Sequence, residues 1–360
     1  MLRDLTIQNY RTLKDFHIDG LARVNLLVGM NNTGKTSLLE AIYLLVNQGE
    51  VNCLLEIINK RLERNFDKTI LSESLLSADH LIHFFHNHEF TENKTITIQS
   101  NVDGETSVKI QPVTQAYSSP VFEIIFSNSE HNIHKNKLIG NNVNVNRLAA
   151  DVLRLSNLSW PIPITAGVPS NISLQSIFTN TINISFEELA LLWYNIALTP
   201  KEDRVLESLK ILEPKIERFN FTSRQTSSSG IILKIQGQNK PIPLESMGEG
   251  MRRIFTLAMA AVTVENGFLL IDEIEAGLHY ETQTEMWHFV MEVAQQLNVQ
   301  VFATTHSWDC IVAFQEALEQ AEDSSIGKLF RLSRKDDNIK AVEYTPDELS
   351  IAVRQSIEVR

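Results

Sequence analysis

Hydrophobic and polar residues alternate at the start of the chain. Leu5 and Ile7 sit between polar neighbours, and after a turn Phe16 and Ile18 resume the pattern. A period of two predicts strands. Residues 24–28 form a short apolar run that stops at Gly29, which predicts a buried strand. From Lys35 the period changes, with Leu38, Leu39, Ile42, Leu45 and Val46 falling at helical spacing. The order strand, glycine-containing loop, helix is therefore legible from the pattern alone.

The middle of the chain is mixed. A helical stretch covers about 51–64, and β-like runs follow near 95–99, 108–110 and 121–126. Asn141, Asn142, Asn144 and Asn146 mark a polar loop, and Pro161, Pro163, Gly167 and Pro169 an irregular connection. Residues 172–219 read as helices. Leu206, Leu209, Leu212 or its neighbour Ile211, Ile216 and Phe219 make an apolar stripe, punctuated by Pro200 and Pro214. The charges of 201–218 balance, as on a solvated amphipathic face. Ser227-Ser228-Ser229-Gly230 is a turn, with a strand after it at 231–235. From 244 the pattern is α/β: a helix at about 249–264, a strand at 268–271, a helix at about 280–297 and a strand at 299–303. Thr345-Pro346-Asp347-Glu348 has the form of a capping box with proline at the first helical position. These patterns divide the chain into an N-terminal lobe (1–150), a helical insert (151–225) and a C-terminal lobe (226–360).

Composition narrows the class. Apolar residues at 43% and charged residues at 21% match soluble globular chains, which excludes disorder, collagen and a disulfide scaffold. No window approaches about eighteen uninterrupted apolar residues, so no membrane span is expected, and the first residues lack a signal-peptide pattern. The two cysteines, Cys53 and Cys310, are far apart and in no metal spacing, which fits a reduced, cytoplasmic compartment. A net charge of −12 argues against a whole-surface grip on nucleic acid and leaves only a local basic patch as a route.

Three segments carry chemistry. Gly29-Met30-Asn31-Asn32-Thr33-Gly34-Lys35-Thr36, followed by Ser37, matches Gly-x-x-x-x-Gly-Lys-[Ser/Thr] in full. The glycines let the loop curl so that backbone N–H groups face a phosphate, Lys35 adds a point charge, and the Thr36 hydroxyl suits Mg²⁺. The apolar strand at 268–271 ends in Asp272 and Glu273. Ionised carboxylates near a core need a reason, and a Mg²⁺ shared with Thr36 supplies one, with Glu273 free to polarise an attacking water. The second apolar strand ends near His306, from where an imidazole can reach a γ-phosphate. In addition, Ser246-Met247-Gly248-Glu249-Gly250 opens a helix with small residues, a second anion-binding helix start that suits the nucleotide of another subunit.

Other patterns are weaker or absent. His83, His86, His88 and Glu89 have the types to chelate a metal, but an alternating polar strand edge explains them better. His86-Asn87-His88 is too compact for the dispersed nuclease motif of the same letters. No Asn-Lys-x-Asp occurs, which disfavours a GTPase, and no Asp-x-Asp occurs, so a TOPRIM nuclease centre is not expected within the chain. Only 54 residues follow His306. No long heptad array or internal repeat appears.

The order of phosphate loop, Ser-x-Gly-Glu helix start, Asp-Glu strand end and histidine resembles the ABC-type ATPases. More closely, it resembles the heads related to SMC proteins and the OLD (overcoming lysogenization defect) family. Asn9-Tyr10-Arg11 and the run 24–41 are similar to that family's N-terminus. The run 272–279 is similar to its Walker B motif and D-loop, and the stretch 343–360 to the end of its stand-alone members. The likeness covers about 1–50 and 240–360.

The resemblance implies an α/β, ABC-type P-loop head: a mixed sheet flanked by helices, with a β-rich lobe and a short helical insert in place of a coiled-coil arm. It implies Mg²⁺-dependent ATP hydrolysis coupled to head-to-tail assembly of a homodimer or higher homo-oligomer. Lys35 and the loop would bind phosphate, Thr36 and Asp272 Mg²⁺, Glu273 the attacking water and His306 the γ-phosphate. Ser246, Gly248 and Glu249 would close over ATP in trans, with Gly277 and Leu278 near the crossing, and Arg11 is a candidate phosphate contact. The signature departs from Leu-Ser-Gly-Gly-Gln at Met247 and Glu249, which argues against a transporter subunit. Gln99 and Gln111 both stand open as the Q-loop residue. The implied role is control of a separate TOPRIM-type nuclease in defence against phage or foreign DNA, with DNA contact indirect. The alternative is a DNA-repair or chromosome-maintenance ATPase that binds DNA itself.

Overall fold

A computed structural model of the protein describes residues 1–62, 81–88, 94–101, 104–112, 121–131, 133–140, 176–180, 184, 186–222 and 230–360. The alternating opening forms the antiparallel hairpin of β1 (Leu5–Tyr10) and β2 (Leu13–Ile18), which buries Leu5, Ile7, Phe16 and Ile18 in one core. β3 (Val24–Val28) is buried throughout and leads into α1 (Lys35–Val46). Then come α2 (Val51–Leu62), β4 (Ile96–Ser100), β5 (Thr106–Pro112), β6 (Val121–Asn128), β7 (Ile133–Gly140), β8 (Ser176–Asn180), α3 (Phe186–Ile196) and α4 (Pro200–Lys210). β9 (Ile216–Thr222), β10 (Gly230–Ile235) and β11 (Ile242–Pro243) follow. The last third is α5 (Glu249–Thr263), β12 (Phe268–Asp272), α6 (Gln283–Gln296), β13 (Gln300–Thr304), α7 (Trp308–Gln320), β14 (Gly327–Lys335), β15 (Asn338–Tyr344) and α8 (Pro346–Arg354).

These strands make three sheets. An antiparallel one runs β2-β1-β4-β5-β6-β7, a small one β11-β10-β9, and the third β15-β14-β3-β13-β12-β8. In the third, β14, β3, β13, β12 and β8 are parallel and β15 pairs antiparallel at the edge. Parallel neighbours need crossover connections, and the helices after β3, β12 and β13 supply them. The strands from the two chain ends interleave, so the phosphate loop after β3 and the acidic end of β12 emerge along one edge of one sheet.

The parallel sheet also divides two hydrophobic cores. Val24, Leu26, Val28, Leu269, Ile271, Val301 and Ala303 face one core, which also takes in residues of α3 to α8. Leu27, Leu270, Phe302 and Phe330 face the other, with α1 and the antiparallel sheet. Successive strand side chains point to opposite faces, so strands covered on both sides read as continuous apolar runs. α1 is consequently buried along most of its length between two sheets, which anchors the phosphate loop at its start.

The helical reading of 172–219 is corrected in two places. Residues 176–180 are β8, the edge strand paired in parallel with β12, and Ile216 and Phe219 lie on β9, not on the helix of Leu206 and Leu209. A register shift explains the misreading. Ile216 pairs with Ile235 whereas Phe219 pairs with Leu233, so β9 carries one extra residue across from Lys234 and Ile235. Such a bulge turns two residues three apart to the same face and imitates a helical period. The polar strand edge expected at His83–His88 is instead a short helical turn over His86–His88, with Asn87 and His88 at positive φ. Its His86 Nδ1 lies 2.7 Å from the Arg11 carbonyl oxygen. The Thr345 capping box is present as expected. The loops expected at 141–146 and 161–169, and Ser227 to Ser229 of the expected turn, lie outside the described residues, as does Glu89.

Candidate nucleotide-binding site

The loop from β3 to α1 is shaped by its glycines. Gly29 has φ +147°, and a Cβ there would fall 2.4 Å from the Leu332 carbonyl oxygen on β14, so only glycine fits. Gly34 ends the loop at φ 86° and leaves the start of α1 without a side-chain cap or an acidic residue in its first turn. Uncapped N–H groups with the positive end of the helix dipole are the ordinary means of holding a phosphate. Thr33 Oγ1 donates to the Met30 carbonyl at 2.8 Å and braces the loop. Asn31 and Asn32 are exposed, Asn32 at φ 63°, while Ser37 is buried at the first turn of α1. Lys35 is 5% exposed, and its Nζ donates to the carbonyls of Gly29 at 2.6 Å and Met30 at 3.0 Å.

β12 delivers the second half of the site. Asp272 Oδ2 accepts the Thr36 hydroxyl at 2.8 Å, and Oδ1 accepts the Thr304 hydroxyl at 2.6 Å. Thr304 Oγ1 also accepts the Glu273 N–H at 2.8 Å, so the end of β13 orients both acids. Glu273 adopts φ 54°, which for a non-glycine residue costs about 1–3 kcal/mol and persists only where the surroundings impose it. Here they do: its carbonyl accepts from Ala276 N–H at 3.0 Å and from Arg253 Nη2 at 3.3 Å. The Glu273 side chain is exposed and clear of the sheet.

His306 lies in the link between β13 and α7, its N–H donating to Glu275 Oε1 at 3.0 Å. Ser246 and Gly248 are exposed at the entrance to α5, where no side chain caps the helix, and Glu249 is ion-paired to Arg252 at 2.6 Å. The turn after β12 packs against this entrance. A Cβ on Gly277 (φ +76°) would lie 2.9 Å from Glu249 Cγ. Phosphate loop, acidic strand end, histidine link and second helix start are thus joined by direct contacts or a shared sheet edge.

The AAA ATPase domain family matches this chain over residues 1–158 and 166–311. The protein belongs to the AAA ATPase domain family. It is an ATPase. An "ATP/GTP phosphatase" of Helicobacter pylori is 22% identical over 377 aligned positions, covering 97% of each chain. The DNA replication and repair protein RecF of Lactobacillus acidophilus is 52% identical over 44 residues, 12% of each chain. Among solved structures, an SMC head bound to the C-terminal winged-helix domain of ScpA is 15% identical with a TM-score of 0.51, covering 96% of this chain and 99% of that one. An SMC head with an extended coiled coil, bound to the C-terminal domain of ScpA derived from Pyrococcus furiosus, is 12% identical with a TM-score of 0.51, covering 99% of each chain. The α/β head fold is that of the SMC ATPase heads. Among the described residues no helix is long and apolar enough to cross a membrane.

The remaining residues of this AAA ATPase sort by position. Arg11 is engaged by Glu40 of α1 at 2.6 Å, and its guanidinium lies 4.6 Å from the Phe84 ring centroid. Glu40, itself buried, also accepts from Tyr10 Oη at 3.2 Å and Arg61 Nε at 2.7 Å. Arg11 therefore braces the β1–β2 hairpin against the phosphate-loop helix, where a phosphate contact was expected of it. Gln99 and Gln111 both lie in the antiparallel sheet. The strand that ends beside the acids is β8, with Asn180 in register with Asp272. Thr304, Glu275 and Arg253 went unassigned in the sequence although each stands inside a recognised run. A threonine, an acid and an arginine are common everywhere, and only their partners mark them.

Burial pulls the Lys35 ammonium down to about 8, against the opposing pull of Asp272, Glu273 and Glu275. Bound phosphates add negative charge and raise that value, so nucleotide binding takes up a proton above about pH 8. ATP affinity is therefore expected to be level just below pH 8 and to fall above it, by at most about tenfold per pH unit for one proton. Titration calorimetry across that range checks this. A flat profile in the wild type, or the same slope in Lys35→Met, contradicts it.

Proposed function

We propose that this ATPase is Mg²⁺-dependent, closes head-to-tail around ATP with a second copy, and thereby switches a separate effector nuclease. The observation that carries the reading is the 2.8 Å contact between Thr36 and Asp272, which brings together residues 236 apart in sequence. A hydroxyl and a carboxylate suit Mg²⁺, which takes one or two protein oxygens together with substrate phosphate oxygens in preference to an all-protein cage. Accordingly, among the described residues no group of three His, Cys, Asp or Glu side chains could hold a metal by itself. When bound, the ion neutralises charge developing on the phosphate oxygens. Lys35 and the loop N–H groups bind the phosphates, Glu273 orients and deprotonates the attacking water, and His306 donates to a γ-phosphate oxygen.

Closure in trans is supported by the exposed, uncapped start of α5 at Ser246, Gly248 and Glu249. Its N–H groups suit an anion, and the chain's own phosphates already have α1. The effector reading rests on the OLD-like resemblance of the runs 24–41 and 272–279. The docking surface in this reading is α3 and α4, near which Tyr194 is 70% and Leu198 97% exposed. ATP-driven closure would supply the difference in affinity that a switch requires. The test is co-expression with the neighbouring gene product, then plasmid cleavage with and without Lys35→Ala. Cleavage by this chain alone, or no nuclease co-purifying, counts against the reading.

Similarity to RecF over 44 residues favours a second reading, a DNA-repair ATPase that binds DNA directly. The net charge of −12 instead predicts DNA binding that is weak and falls steeply with salt. Fluorescence anisotropy with a labelled duplex decides between them. Tight binding near physiological salt without a partner would move the assignment to repair.

A further inference from the structure

His306 occupies a short stretch of backbone with no ladder partner. β13 ends at Thr304, and Ser307 already serves as the N-cap of α7, its hydroxyl accepting from Cys310 N–H at 3.3 Å. The peptide groups of His306 are held instead by two charged side chains from distant segments. Its N–H donates to Glu275 Oε1 at 3.0 Å, and its carbonyl accepts from Arg360 Nη1 at 2.9 Å. Both are charge-assisted bonds, the stronger kind.

Each partner is itself fixed. Glu275 stands in the turn after β12 whose glycine packs on the start of α5. Arg360 is gripped by both oxygens of Glu358, at 2.8 Å from Nε and 2.8 Å from Nη2, which leaves Nη1 for His306. Val359 between them is fully buried and anchors the segment in the larger core. Holding the peptide units on both sides of the His306 Cα fixes the backbone from which the side chain departs. The direction in which the His306 side chain leaves the backbone is thereby set by residues that need not touch nucleotide.

We propose that Glu275 and Arg360 are positioning residues for His306, a two-sided clamp that aims its imidazole at the γ-phosphate and ties it to the turn after Asp272. The inference rests on the assignment of His306 proposed above. An ångström of misplacement at a reacting centre costs up to about a hundredfold in rate. Arg360→Ala should therefore lower kcat about tenfold, with KM for ATP changed less than about twofold, because the phosphate loop is untouched. Arg360→Lys, which keeps a donor, should recover part of the loss. Glu275→Gln should retain more activity than Glu275→Ala, since an amide oxygen accepts the same N–H.

The deciding measurement is a double-mutant cycle in ATP turnover by the full-length protein, with thermal melting to verify folding. His306→Ala alone should lower kcat about a hundredfold or more, as for the loss of one transition-state donor. Adding Arg360→Ala to it should lower kcat no further, because there is no imidazole left to aim. If the two losses multiply, or if Arg360→Ala alone keeps wild-type kcat, the clamp is overturned while the role of His306 stands. If His306→Ala keeps wild-type turnover, the assignment of His306 fails first, and that single variant reveals it.

Discussion

Glu273→Gln is expected to stop ATP turnover while leaving ATP bound. The carboxyl stands exposed on a left-handed turn whose backbone is pinned by Thr304 and Arg253. Glutamine is nearly isosteric, so the turn, Asp272 and the phosphate loop should persist. What is lost is the group proposed to take the water's proton, a contribution of about 10²–10⁴-fold. If α5 closes over the nucleotide of a second copy, slow hydrolysis should trap the closed form. Sedimentation of this variant with ATP and Mg²⁺ is expected to show a dimer that the wild type forms only transiently. Only the nucleotide-free species under those conditions would refute closure in trans, and unreduced turnover would refute the role of Glu273.

The second large effect is on binding. Lys35→Ala removes a buried positive charge whose ammonium faces the loop carbonyls of Gly29 and Met30. Truncating one partner of a buried, hydrogen-bonded charge pair costs about 2–5 kcal/mol, or roughly thirtyfold to several thousandfold in Kd. Melting curves separate this from misfolding. Ligand at about 100 times Kd stabilises by about 2.7 kcal/mol. The wild type should therefore melt later with saturating ATP, and the variant at the same concentration should gain about a third of that stabilisation or less. Removing Lys35 relieves the burial of its charge but leaves the Gly29 and Met30 carbonyls without their donor, opposing effects on the nucleotide-free melting temperature, so the shift produced by ATP is the quantity compared. An undiminished ATP shift would refute the assignment.

Much of the site was readable along the chain because phosphate binding uses contiguous backbone. Gly29 to Gly34 lie in one loop and Lys35 and Thr36 begin the helix after it, their spacing is set by the curl of that loop, and the buried strand before and helix after are local patterns. The apolar run ending at Asp272 and Glu273 was readable for the same reason. So was the alternation of β1 and β2, since a half-buried strand writes its two faces into the sequence. The resemblance added the α/β head fold, which the architecture bears out.

Tertiary structure decided what depends on segments distant in sequence. Ile216 and Phe219 mimic a helix because a bulge in β9 brings residues of odd spacing to one face, and a bulge is a property of paired strands. Residues 176–180 became an edge strand because β12 offered a free parallel side. Arg11 follows a legible motif, but the direction of its side chain is set by Glu40 and Phe84 in two other segments. Thr304, Glu275 and Arg360 have no signature of their own, and each matters through what it touches: Asp272 in one case and the peptide of His306 in the others. A motif is legible when its atoms are neighbours along the chain; the orientation of those atoms is fixed by hydrogen bonds between segments that only the folded sheet brings together.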